Sequence, residues 1–184
     1  MATRLMSVVI ALVLLFCPYA CAEEDPLYET YTIINGTKEA TFSYPQGYTI
    51  EDEDPDIAVF VRLNEVNYIT VSIPRKNKTG AQQLLENIGD EQKIIQLTDD
   101  VHVFGSHGDK SFHPMLTHMD IVEVGIDLGK HMGVLISTNC LYGQTEIYEA
   151  AMVIVESLTG DTVFSEWLTE TWIPYVSRGQ ALPD

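Results

Sequence analysis

The sequence predicts an α+β fold, an antiparallel β-sheet packed against helices. Three observations carry this. At least five runs of β-branched and aromatic residues are separated by Gly, Pro and Asn, the pattern of short strands. Two stretches, 79–88 and 145–158, place apolar residues at helical spacing. The strand runs mostly follow one another through short links, as hairpins do, instead of alternating with helices.

Residues 1–22 have the plan of a secretory signal peptide. Arg4 supplies the charged start, Leu5 to Phe16 the apolar run, and Ala20-Cys21-Ala22 the small-x-small cleavage pattern. That run is too short to span a bilayer. The mature chain then begins at Glu23. An alternative makes Cys21 a lipidated N-terminus, although Pro18 stands where a lipobox carries an aliphatic residue. Cleavage removes Cys17 and Cys21 and leaves Cys140 without an internal disulfide partner. Cys140 follows an apolar strand-like run and fits a small buried residue.

The mature elements follow in order. Asn35-Gly36, inside YTIINGTKEATFSY (31–44), predicts a hairpin turn in which both residues accept positive φ. Pro45 and Gly47 stop the second strand. EDEDPD (51–56) holds five carboxylates in six residues and predicts a solvated loop, without the D-x-D-x-D-G spacing of a calcium site. IAVFVRL (57–63) and NYITVSI (67–73) predict a second hairpin across Asn64-Glu65-Val66.

A helix over 79–88 starts at a Thr79-x-x-Gln82 capping box, carries Ala81, Leu84, Leu85 and Ile88 on one face, and stops at Gly89. QKIIQL (92–97) and VHVFG (101–105) predict shorter strands. THMDIVEVGID (117–127) is apolar on both faces, as a central strand requires, and pairs with HMGVLISTN (131–139). A helix over 145–158 buries Ile147, Ala150, Ala151, Ile154 and Leu158, and Gly160 ends it. In the tail, Val163, Trp167, Leu168 and Trp172 keep helical spacing as far as Pro174 and dock onto the domain.

Charge narrows the partners. Asp and Glu number 27 against 10 Lys and Arg, a net charge of −17. Nucleic acid needs clustered Lys and Arg, and none are clustered here. Anionic lipid surfaces are repelled for the same reason. Membrane contact then requires a retained signal segment or a lipid on Cys21. Asn35-Gly36-Thr37 and Asn77-Lys78-Thr79 match the N-glycosylation sequon, which makes Asn35 and Asn77 the candidate glycan sites.

This element order, with the segment TFSYPQGYTI, resembles the PsbP-like superfamily of PsbP-type and DcrB-type secreted or lipoprotein domains. The family's F-x-Y-P-x-G-aromatic segment stands here as Phe42, Tyr44, Pro45, Gly47 and Tyr48, with Tyr48 where the family usually carries Trp. The resemblance covers residues 28–159 and leaves 160–184 as a C-terminal Trp-rich extension. It implies an α/β/α sandwich, Tyr48 plugging the core edge, no catalytic residues, and a binding or assembly role with a protein partner at the cell envelope.

The competing chemistry is metal binding. HVFGSHGDKSFHPMLTH (102–118) contains His102, His107, Asp109, His113 and His118. If 101–104 pairs with 117–121, His102 and His118 come together. One of His107, Asp109 or His113 then completes a three-ligand divalent-metal site. The histidine gaps of five, six and five match no rigid zinc motif. No G-x-S-x-G, H-E-x-x-H, S-x-x-K or glycine-rich phosphate loop occurs. The sequence thus points to a non-catalytic exported binding module without a cofactor, with a divalent-metal protein using loop 102–118 as the alternative. Intact-mass analysis of the protein from its native host checks the first step. The expected mass starts at Glu23, and a diacylglycerol adduct on Cys21 would replace secretion with lipid anchoring.

Overall fold

The structure, a computed structural model, describes residues 27–54, 58–74, 77–108, 119–129 and 131–178. The segment 1–22, Asp109, His113 and His118 lie outside the described residues. The strands are β1 (Tyr28–Asn35), β2 (Lys38–Pro45), β3 (Thr49–Asp54), β4 (Ala58–Arg62), β5 (Tyr68–Ser72), β6 (Ile95–Gln96), β7 (Val101–His107), β8 (Met119–Asp127) and β9 (Gly133–Leu141). The helices are α1 (Gly80–Ile88), α2 (Glu146–Thr159), α3 (Val163–Trp167) and α4 (Ile173–Arg178), with a π turn at Leu168–Trp172.

Seven strands form one antiparallel sheet in the order β3-β4-β5-β9-β8-β7-β6, and β1 and β2 form a separate hairpin. Helix α1 lies on one face of the sheet, while α2 and the C-terminal helical run fill the other. The α+β arrangement of sheet against helices is therefore the one observed. β8 is an interior strand, buried at seven of its nine positions, and this explains its apolar residues on both faces. β2 rests against α2, so Ile33, Ala40, Phe42 and Tyr44 join the main core.

Several local expectations shift. The hairpin turn is Gly36-Thr37, one residue later than expected, because Asn35 pairs with Lys38. Only Gly36 takes a positive φ there, +66°. Asn35 stays in the strand, and its side-chain amide donates to the Ile73 carbonyl at 2.9 Å. Glu51–Asp54 is not a loop but the end of β3, an edge strand whose register breaks between Asp52 and Asp54. Glu51, on this edge, is exposed. The strand expected over 92–97 shrinks to β6, since Glu91–Lys93 forms a 3₁₀ turn capped by the Asp90 side chain.

Phe164, Leu168 and Trp172 of the tail are fully buried in the same core cluster as residues of β8 and β9. The helix does not end before Pro174. Proline lacks an N–H and its ring crowds the carbonyl four residues back. The π turn just before it widens the helix by one residue and lets the chain continue into α4.

Helix α1 begins as its sequence dictates. Thr79 Oγ1 accepts from Gln82 N at 3.2 Å, and Gln82 Oε1 accepts from Thr79 N at 3.1 Å. The Asp127 carboxylate accepts from Ala81 N at 3.1 Å, adding a negative charge at the helix N-terminus. Three glycines set how close the helix comes. A Cβ on Gly80 would run into the Ile126 backbone, one on Gly125 into the Gly80 carbonyl, and one on Gly133 into the Thr79–Gly80 backbone. Gly133→Ala should therefore cost about 1–3 kcal/mol, the range for forced overpacking. A surface control, Gln83→Ala, should stay within about 0.5 kcal/mol. Urea melts of the two variants check the difference.

Candidate functional site

Among the described residues, a cluster of interacting ionisable groups on the core side of the sheet grows from strand register. His107 closes β7 and Asp120 is the second residue of β8, and the two are directly opposite. Opposed residues on antiparallel strands share a face. Here it is the core face, and Asp120 is only 2% exposed. His107 Nδ1 lies 2.5 Å from Asp120 Oδ1. The imidazole stacks on Tyr142, ring centroids 4.5 Å apart, and meets Tyr175 of α4 edge-on at 5.8 Å.

Behind this pair runs a chain of interior polar groups. Cys140 lies opposite Asp120 on β9. Its thiol is 3.4 Å from the Tyr148 hydroxyl, which also accepts the Trp172 indole N–H at 2.9 Å. Burial pushes the Cys140 thiol up to about 11, so sulfur stays protonated and unreactive at neutral pH. Burial likewise raises Tyr148. It also raises Asp120, while the hydrogen bond and charge of His107 pull in the opposite direction. The core face therefore holds a carboxylate that depends on one histidine.

Of the other metal candidates, His102 is the one among the described residues. β7–β8 pairing joins 101–104 to 123–126 and not to 117–121, so His102 faces Gly125, toward the other end of β8 from Met119. His102 also points to the opposite face from His107, because the two are an odd number of residues apart on one strand. Its Nδ1 is buried without a hydrogen-bond partner among the described residues. Among the described residues, no three His, Cys, Asp or Glu side chains converge to hold a metal. Asn77 is exposed just ahead of the Thr79 cap. In the aromatic segment Phe42 and Tyr44 are buried, and Gly47 takes φ +94°. Tyr48 is half-buried against the core, with its hydroxyl donating to the Glu146 carbonyl at 3.3 Å.

Sequence reasoning missed a second feature, on the outer face of β3, β4 and β5. The Arg62 guanidinium sits 4.5 Å over the Phe60 ring and 5.1 Å from the Tyr68 ring centroid. Its Nε donates to Glu51 at 2.6 Å. Phe60 and Tyr68 meet edge to face at 5.2 Å. A groove of about 410 Å³ runs beside them, lined by Thr49, Glu51, Arg62, Asn64 and Glu65. The signal was present: Phe60 and Arg62 alternate with Val59 and Val61, and the short 64–66 link places Tyr68 opposite Arg62.

Removing His107 should cost more than neutralising its partner. His107→Ala leaves a buried carboxylate unpaired, worth about 3–5 kcal/mol at neutral pH. Asp120→Asn keeps the shape and removes the charge, so its cost should be smaller. The sign with pH follows. A carboxyl whose folded pKa lies above its unfolded value contributes stability below the unfolded value and loses it as pH rises through the folded one. His107→Ala raises the Asp120 pKa further, so its penalty should shrink as pH falls toward the carboxyl range. Denaturant melts of both variants across acidic to neutral pH check this.

No family model, no curated protein and no solved structure matches the chain.

Proposed function

We propose that the mature chain is an exported, non-catalytic α+β module, of PsbP-like form, that binds a protein partner at the cell envelope. The observation that carries this is the Phe60–Arg62–Tyr68 cluster on the outer face of the sheet. Aromatic residues and arginine supply much of the binding energy of protein interfaces; aromatic rings bury large areas with little rotamer loss, and Arg62 is already held in place by Glu51. The cluster is half-buried and held by Glu51, and the groove beside it opens to solvent. By contrast Cys140 and Tyr148 are spent on internal bonds and kept protonated by burial. Export is supported by the signal-like 1–22 segment. Among the described residues, no helix is long and apolar enough to cross a membrane.

One observation favours the metal reading at a single position. Metal-bound histidines commonly donate their second ring nitrogen to a carboxylate, and His107 meets Asp120 in that way through Nδ1. The two readings separate in a paired experiment. A photo-crosslinker at Thr70, beside Phe60 in the register, is introduced in the native host. A discrete protein adduct that disappears with Arg62→Ala and Tyr68→Ala supports the binding module. An adduct indifferent to both substitutions, or none, overturns it. Calorimetric titration of metal-free mature protein with zinc and copper tests the alternative. Submicromolar binding at one equivalent, lost in His107→Ala, would replace the first reading with the second.

A further inference from the structure

The strand edges of this protein are guarded unequally. An unpaired edge is a template for another strand unless charge, a bulge, shortness or a covering element blunts it. β3 carries Glu51, Asp52, Glu53 and Asp54 and a register irregularity. β6 is two residues long. The outer edge of β2 lies against α2, with Ser43 N donating to Ser157 Oγ at 2.9 Å. Among the described residues, β1 has none of these devices. It is eight residues long, contains no Lys or Pro, and has one carboxylate, Glu29, which accepts from the Tyr44 hydroxyl at 2.8 Å. It also carries exposed apolar surface: Tyr28 is 50% and Ile34 52% exposed, next to Leu27 at 75%.

The register says which groups the edge offers. Asn35 and Lys38 flank a two-residue turn, and Leu27 O accepts from Gln46 N at 3.1 Å. Hydrogen-bonded pairs alternate along an antiparallel ladder. Odd-numbered residues of β1 therefore bond to β2. The even-numbered ones, Tyr28, Thr30, Thr32 and Ile34, turn their N–H and C=O groups outward, and their side chains are exposed.

We propose that the mature chain pairs with a second copy of itself along β1, antiparallel, about a two-fold axis through Tyr31. The result is a four-stranded sheet in the order β2-β1-β1-β2. The outward set is self-complementary in this register. Tyr28 falls opposite Ile34 of the second copy, an aromatic–β-branched pair, and Thr30 falls opposite Thr32, both favoured cross-strand combinations. Glu29 falls opposite Ile33, so no carboxylate meets its like. The register also keeps the core-facing side chains of both copies on one side of the extended sheet. In a chain of net charge −17, a contact between copies requires a segment poor in charge, and β1 supplies one.

Sedimentation velocity of mature protein over a concentration series tests the pairing. The expected result is a reversible monomer–dimer equilibrium. Thr32→Pro removes an outward N–H and keeps the backbone bonds to β2, losing there only the exposed Thr32–Thr41 hydroxyl bond at 2.9 Å, and Ile34→Lys adds an edge charge. Each should weaken the dimer at least about tenfold, and Ile34→Lys should leave the thermal melt of the monomer unchanged. A Tyr28→Cys, Ile34→Cys double variant should form a covalent dimer on mild oxidation, because the hydrogen-bonded pair brings the two positions within disulfide reach. Ile34→Cys alone should not. A monomer persisting at about 1 mM, where only contacts weaker than about 4 kcal/mol escape, overturns the proposal. So does a dimer indifferent to Thr32→Pro and Ile34→Lys, or equal crosslinking by the single and double cysteine variants.

Discussion

The seat of Trp172 over Gly105 holds the two halves of the core together. Gly105 lies on the core face of β7, and a Cβ there would collide with the indole six-membered ring. The missing side chain is what lets the tail reach the sheet. Once seated, the indole N–H has a partner in the Tyr148 hydroxyl, and Tyr148 in turn meets Cys140. A buried indole without that acceptor would leave a donor unsatisfied, at a cost of about 1–3 kcal/mol. Tyr175, one helical turn on, then reaches the His107 ring. Tail docking, core packing and the environment of the His107–Asp120 pair therefore depend on one contact.

The other face obeys a different constraint. There α1 approaches so closely that backbone meets backbone at Gly80, Gly125 and Gly133. Side chains of α1 then reach over the sheet, and Leu84 packs with Phe104 and Leu135 in a small separate cluster. Glu123 is nearly enclosed beneath the helix, with Asn87 as its hydrogen-bond partner at 3.4 Å and a pKa pushed up by burial. Away from α1, the same face keeps Thr70, Ser137 and Asn139 in partial contact with water. One sheet thus has a largely dry side, open chiefly near His107, and a side that dries only where the helix lies.

How much of this was legible follows from range. Local signals held: the Thr79–Gln82 box, Gly89 and Gly160 as helix stops, and the two-sided apolar pattern of β8 are written within a few residues. What failed depended on distant partners. Glu51–Asp54 looks like a loop by charge density, and becomes a strand only because β4 supplies a ladder. Gly105, Gly125 and Gly133 read as turn formers or strand weaknesses until the helices above them are known. At the candidate site, His107 was visible as a residue type, but its partner was not. The expected pairing of 101–104 with 117–121 missed the register, since 101–104 lie opposite 126–123 and the end of β7, His107, lies opposite Asp120. Tyr148, Tyr175 and Trp172 reach His107, Asp120 and Cys140 from helices late in the chain, and no local pattern announces that.

The strand order carries a kinetic meaning. Every ladder in the large sheet joins neighbours in sequence except one, β5 with β9, where Tyr68 meets Asn139 and Ser72 meets Leu135. The sheet is two locally wired halves stitched by a single long-range seam. Hairpins close in microseconds, whereas joining segments this far apart must first overcome the entropy of a large loop. That loop contains α1, whose glycine contact lies across β8 and β9, next to the seam. Closure of the sheet and docking of the helix are thereby coupled, and a chain held extended cannot form this seam until both halves are free to meet.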